Sequence, residues 1–176
     1  MERARFVDAT GMLERLRAIK TPAELAKLRQ ASELITGSML ATVAWAREGT
    51  TKAEIIERLR REETERGLHF DYCLLTVGAS HNRAPSPQAW RYGEVLSIDS
   101  GGNFDGYIGD LARMGVLGEP DAELQDLLAE IDDAQQAAFA TVRAGRAAAT
   151  SSLLARRRAR PGRAPRSLTS LPTAWD

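Results

Sequence analysis

Cysteine and lysine are nearly missing from this chain, and long apolar runs are missing altogether. One cysteine, Cys73, excludes an internal disulfide framework and a cysteine-rich zinc module. The three lysines, against 21 arginines, point to a GC-rich coding sequence. No apolar stretch approaches the roughly 18 residues of a membrane span. The start, Met1-Glu2-Arg3-Ala4-Arg5, lacks the apolar core of a signal peptide, so the expected compartment is the cytoplasm. Basic and acidic side chains both number 24, and this balance gives no electrostatic case for a partner of either charge. What remains is an ordinary globular composition, 43% hydrophobic over 176 residues, enough for one domain with a real core.

The neutral total hides an asymmetry. Residues 1–145 hold 17 basic and 23 acidic side chains, whereas residues 146–176 hold seven arginines and one acid, Asp176. This tail is Arg, Ala, Ser, Leu, Pro and Thr apart from Gly162, Trp175 and Asp176. A basic tail of this kind suits nucleic acid or an anionic surface, but it has no aromatic interleaving beyond Trp175, which argues against nucleic acid. A disordered end is the plainer reading, because its apolar residues are too scattered to offset ordering entropy. The favoured reading is a lost frame near Gly145, since out-of-frame GC-rich DNA yields Arg, Ala, Pro and Ser.

Elsewhere the pattern predicts an α/β (α+β) chain. Residues 1–20 form a lead-in segment with a short helix around Met12, Leu13 and Leu16. Thr21, Pro22 and Glu24 form a capping box with proline at the first helical position. The helix behind it carries Leu25, Leu28, Ser32, Ile35, Met39 and Val43 on one face and ends at Gly49. Thr51 and Glu54 cap a second helix with Ile55, Ile56 and Leu59 inward, ending at Gly67. Strands follow at Tyr72–Val77, Glu94–Ser100 and Tyr107–Met114, with a loop from Gly78 to Tyr92. Pro120 opens a last helix, closed by Gly145. The expected units are 1–20, 21–145 and 146–176.

Asp105-Gly106 is a strong hairpin signal. A two-residue turn there sets Gly101 opposite Asp110 and Asp99 opposite Ala112. Asp99 and Asp110 then share a face as diagonal neighbours, roughly 7–8 Å apart at the backbone. A three-residue loop would separate them unless a bulge restored the phase. Apolar residues on both hairpin faces (Leu96 and Ile98; Val95, Ile108 and Met114) predict partly buried acids. Two like charges so placed call for a proton or a hard divalent cation. An edge hairpin with solvated acids accounts for two aspartates equally well on local pattern alone.

The run Ile98-Asp99-Ser100-Gly101-Gly102-Asn103-Phe104-Asp105-Gly106-Tyr107-Ile108-Gly109-Asp110-Leu111-Ala112-Arg113 tips that balance. It resembles the first metal-ligand motif of the pita-bread metallopeptidases: Asp-x-Gly, Asp-Gly-Tyr, then Asp-x-x-Arg, the second aspartate eleven positions after the first. Ile19-Lys20-Thr21-Pro22-Ala23-Glu24-Leu25 through Arg29, and Gly49-Thr50-Thr51-Lys52-Ala53-Glu54, resemble the helix starts of the Xaa-Pro branch. The resemblance implies a metal-dependent aminopeptidase or dipeptidase acting on a peptide substrate. It implies two divalent ions (Mn, Co, Zn or Fe) held in part by Asp99 and Asp110, with Asp110 bridging, and activating a water for attack on a peptide carbonyl. His81, 18 residues before Asp99, matches a family histidine that handles substrate or proton traffic. Arg113 matches a structural arginine expected near the acids. His69 matches nothing, and Ala112 replaces the usual threonine beside Asp110.

The family completes its site with a histidine and two glutamates from the second half of its domain. No histidine follows His81 here. The expectation is therefore the first half of a pita-bread fold, with weak metal binding, no activity alone, and self-association through an exposed sheet edge. The alternatives are a creatinase-like small-molecule hydrolase or lyase of the same fold, and a non-catalytic binding module that uses the basic tail.

Overall fold

The computed structural model describes residues 6–145. The expectations for residues 146–176, whether disordered, nucleic-acid-binding or out of frame, lie outside the described residues. Those residues fall into two compact units that divide between Glu119 and Pro120.

The first unit holds helices α1 (Thr10–Ala18), α2 (Pro22–Trp45) and α3 (Lys52–Glu65), then strands β1 (His69–Val77), β2 (Val95–Phe104) and β3 (Tyr107–Val116). Both capping boxes form. The Thr21 N–H donates to Glu24 at 2.6 Å, and the Thr51 N–H donates to Glu54 at 2.8 Å. The next free donors of α3 are met by the loop: the N–H groups of Lys52 and Ala53 donate to the Gln88 and Ser86 carbonyls at 2.9 and 3.1 Å. That loop is thereby fixed to the start of α3. Helix α1 has no buried residue.

Two helix expectations need correction. Helix α2 stops at Trp45, not Gly49; Gly49 instead takes φ +86° in the turn that follows. Its buried face is Ala31, Ile35, Ser38, Met39 and Thr42, while Leu25 is 55% exposed. The rotation follows from close packing on small residues. A Cβ on Gly109 of β3 would lie 2.8 Å from the Ala31 carbonyl carbon, so sheet and helix meet where neither carries bulk. Ser38 and Thr42 are tolerated there because their hydroxyls donate to the Leu34 and Ser38 carbonyls at 2.9 and 2.8 Å.

The strands form one antiparallel sheet in the order β1-β2-β3. One face packs on α2 and α3 through Leu75, Val77, Leu96 and Ile98, which join Ile35, Met39, Ile55 and Leu59 in the core. Trp90, in the loop before β2, is also buried and donates its indole N–H to the Glu94 carbonyl at 2.9 Å. Strand β1 starts at His69, three residues earlier than its apolar pattern suggests, and is irregular between Phe70 and Tyr72.

The second unit carries α4 (Ala122–Phe139), capped by the Asp121 carboxylate, which accepts the Leu124 N–H at 2.8 Å. It ends at Phe139 rather than Gly145. Thr141 and Val142 follow in tight turns, their N–H groups donating to the Ala138 and Phe139 carbonyls, both at 3.0 Å. Both are β-branched, and the Thr141 hydroxyl also donates to the Ala138 carbonyl at 2.7 Å, which favours such an end.

Candidate functional site

The hairpin turn at Asp105-Gly106 takes φ +50° and +86°, the left-handed pair that a two-residue turn of this type requires. The Lys27 ammonium pairs with Asp105 and holds the turn to α2. The register follows: Gly101 faces Asp110, and Asp99 faces Ala112. Asp99 and Asp110 therefore lie on one face of the sheet, opposite the face that packs on α2 and α3.

Their burial is unequal. The Asp99 side chain is 19% exposed, but Asp110 is exposed, as are Ile108 and Met114 on the same face. The expectation of two partly buried acids holds for Asp99 alone. Helices cover one face of the hairpin, and apolar residues on the other do not enclose Asp110.

Each acid has a partner that its local sequence did not reveal. The Tyr72 hydroxyl donates to Asp110 Oδ1 at 2.6 Å. Tyr72 sits opposite Gly101, which sits opposite Asp110, so the ring crosses the middle strand to reach the third. Only glycine permits that crossing: a Cβ on Gly101 would lie 2.5 Å from Tyr72 Cε1. The register shift beside Asp71 matters as well. With strict alternation Phe70 and Tyr72 would share a face; the extra residue sends Phe70 against the core and Tyr72 toward the acids. Burial, then the Asp110 bond and the nearby acids, pushes the Tyr72 phenol above its ordinary range, so it stays a donor.

Asp99 is met by Arg83, whose Nη2 donates to Oδ2 at 2.6 Å. His81, two residues away in the same loop, is exposed and makes no hydrogen bond or ion pair among the described residues. His69 lies 3.1 Å from Asp71 and is exposed. Arg113 lies on the other sheet face from the acids. It is in register with Ile98, on the helix side, and donates to the Ala112 carbonyl at 2.8 Å and to Thr36 Oγ1 at 3.5 Å.

Behind β2 lies an ionisable group of another kind. Glu63 is buried, with Oε1 accepting from Ser100 Oγ at 2.9 Å and Oε2 lacking a partner among the described residues. Burial pushes Glu63 up to about 7, with the Asp71 charge adding to the effect. Ser100 has one proton and two acceptors in reach, the second being the Tyr72 carbonyl at 2.6 Å. A protonated Glu63 resolves this by donating to Ser100, which then donates to Tyr72. Burial also pushes Cys73 up to about 12, so it is an inert thiol.

Two carboxylates on one open face suit a hard divalent cation in kind but not in number. No group of three or more His, Cys, Asp or Glu among the described residues is placed to hold a metal ion. The described residues alone do not fit a two-metal centre.

Comparison with known proteins accords with this geometry. The family model for metallopeptidase family M24 matches residues 26–168. An uncharacterised peptidase of Staphylococcus aureus is 26% identical over 145 residues, 80% of this chain and 41% of that protein. Among solved structures, the X-Pro aminopeptidase of Thermotoga maritima superposes with a TM-score of 0.79 at 25% identity, covering 84% of this chain and 44% of that one. A dipeptidase of Pyrococcus horikoshii gives 0.78 at 26% identity, covering 88% and 44%. The chain thus spans less than half the length of these relatives.

Proposed function

The chain belongs to metallopeptidase family M24, and on that premise we propose that its residues serve metal-dependent hydrolysis of an N-terminal peptide bond, of the Xaa-Pro aminopeptidase or dipeptidase type. Asp99 and Asp110 are, in this reading, two carboxylate donors of a divalent-metal centre whose remaining donors lie outside residues 6–145. The observation that carries it is the register, which sets both acids on the one sheet face that no helix of the first unit covers. The names of the two solved relatives, an X-Pro aminopeptidase and a dipeptidase, support a peptide as substrate. His81, exposed in the loop beside Arg83, is free to meet a substrate rather than to support the fold.

With two acids as its share, this chain binds a divalent ion weakly and does not hydrolyse peptides unaided. Titration of the 176-residue chain with Mn²⁺ tests the assignment. Weak binding that disappears in both Asp99→Asn and Asp110→Asn is expected. Binding that survives either substitution removes that residue from the ligand set.

A further inference from the structure

Strand β3 has one long side without a partner strand. It ends the sheet, and among the described residues it pairs with β2 alone. Alternation from the Phe104 and Tyr107 pair at the hairpin turn aims the N–H and C=O groups of Ile108, Asp110, Ala112 and Met114 away from β2. All four residues are exposed. The Ala112 carbonyl accepts the neighbouring Arg113 guanidinium at 2.8 Å. The other edge of the sheet is partly closed: the Leu75 N–H of β1 donates to the Arg83 carbonyl at 3.2 Å, and that strand is irregular between Phe70 and Tyr72. On the helix side of β3, a groove of about 370 Å³ lies between the strand and α2, lined by Arg29, Ser32, Glu33, Thr36, Leu111 and Arg113. Leu40, 59% exposed, continues the Arg29, Glu33 and Thr36 stripe of α2 at helical spacing.

An exposed strand of ten residues with outward donors and acceptors is a template for another strand. We propose that this edge pairs with the same edge of a second copy of the chain, antiparallel about a twofold axis at Leu111, joining two three-stranded sheets into one. The occupant is a second copy because the edge is self-complementary. Residues opposite each other in an antiparallel pair share a face, so Ile108, Asp110, Ala112 and Met114 must pair among themselves. With Leu111 opposite itself, Ile108 meets Met114 of the other copy and Asp110 meets Ala112. Ile108 and Met114 are 52% and 58% exposed, so both such pairs take apolar surface out of water. An axis at Asp110 would set carboxylate against carboxylate, and one at Ala112 would set Asp110 against Met114. On the helix side, the grooves of the two copies meet, and each carries Arg29 and Arg113 together with Glu33, so each offers the other both signs of charge. The pairing takes the Ala112 carbonyl over from Arg113. Because the same patch serves both copies, the assembly closes at two. The inference is independent of any metal at Asp99 and Asp110.

The test is sedimentation velocity of the 176-residue chain from about 5 to 300 µM, over which a reversible monomer–dimer equilibrium is expected. Ala112→Pro removes one outward N–H from each copy and leaves the β2 ladder intact, since proline is tolerated on edge strands. It should weaken the dimer about tenfold or more. Ile108→Lys combined with Met114→Lys sets lysines opposite one another at exposed positions and should leave a monomer, which keeps the test decisive if the proline variant fails to fold. Leu16→Lys, at a 75% exposed position of α1, is the control and should leave the dimer unchanged. The register has its own test. Leu111→Cys, with Cα atoms about 4.5 Å apart at the axis, should give a disulfide-linked dimer under mild oxidation. Met114→Cys, far from its own copy in this register, should not. A wild-type chain that stays monomeric throughout overturns the proposal, as does association beyond two copies. A dimer that survives both edge variants overturns it, and so does cross-linking through Met114→Cys in place of Leu111→Cys.

Discussion

Tyr72 reaches Asp110 across the whole width of an intervening strand, its hydroxyl 2.6 Å from Oδ1, because the residue between them is Gly101. The row Tyr72, Gly101, Asp110 makes the orientation of a candidate ligand depend on the absence of one methyl group.

Gly101→Ala tests that dependence. The added Cβ, 2.5 Å from the Tyr72 ring, forces the ring aside and breaks its bond to Asp110. We expect a loss of roughly 1–3 kcal/mol by urea denaturation. Tyr72→Phe alone should cost about 0.5–1.5 kcal/mol. The double variant should fall well short of the sum, because both changes remove the same contact. Additive losses would show that Gly101 does not serve Tyr72.

Gly109→Ala should be more damaging, because its Cβ would meet the backbone of Ala31 rather than a mobile side chain. A loss of about 2–3 kcal/mol is expected. Gly11→Ala is the matched control: nothing lies within 4 Å of its Cβ and it sits in α1, so it should be neutral or stabilising by up to about 1 kcal/mol. Thermal melts of the two variants moving together would contradict the close approach of α2 to β3.

The buried Glu63 makes stability fall as pH rises. Its folded-state value, about 7, lies above the ordinary 4.5 of the unfolded chain. The folded state thus binds more protons between these values, and the stabilisation present below about 4.5 is lost as pH climbs through about 7. The loss is on the order of 3 kcal/mol. Glu63→Gln keeps a donor for Ser100 and should flatten the stability profile between pH 5 and 8, as scored by urea midpoints at each pH. An unchanged slope in the variant would assign the pH dependence to other groups.

Much of the first unit was legible because its signals are local. Thr21 with Glu24 and Thr51 with Glu54 act within one helical turn, and both boxes form. Asp105-Gly106 fixes its own turn, and the turn fixes the register that joins Asp99 and Asp110 on one face. The partners of those acids were not legible. Tyr72 depends on an irregularity beside Asp71 that no alternation pattern announces, and Arg83 depends on a loop seated on α3 by the buried Lys52. Glu63 looks like one more surface charge in Arg60-Arg61-Glu62-Glu63-Thr64-Glu65, yet it is wholly buried because its face of α3 packs under β1 and its carboxyl reaches Ser100 of β2. Arg113 failed in the opposite sense. Its motif position suggested the acids, and strand alternation turned it toward Thr36.

The central claim is that Asp99 and Asp110 jointly hold a divalent ion, and anomalous diffraction from crystals of the full chain soaked in Mn²⁺ tests it most directly. The account predicts a manganese peak within coordination distance of both carboxylates. A crystal that takes up manganese only elsewhere would contradict it.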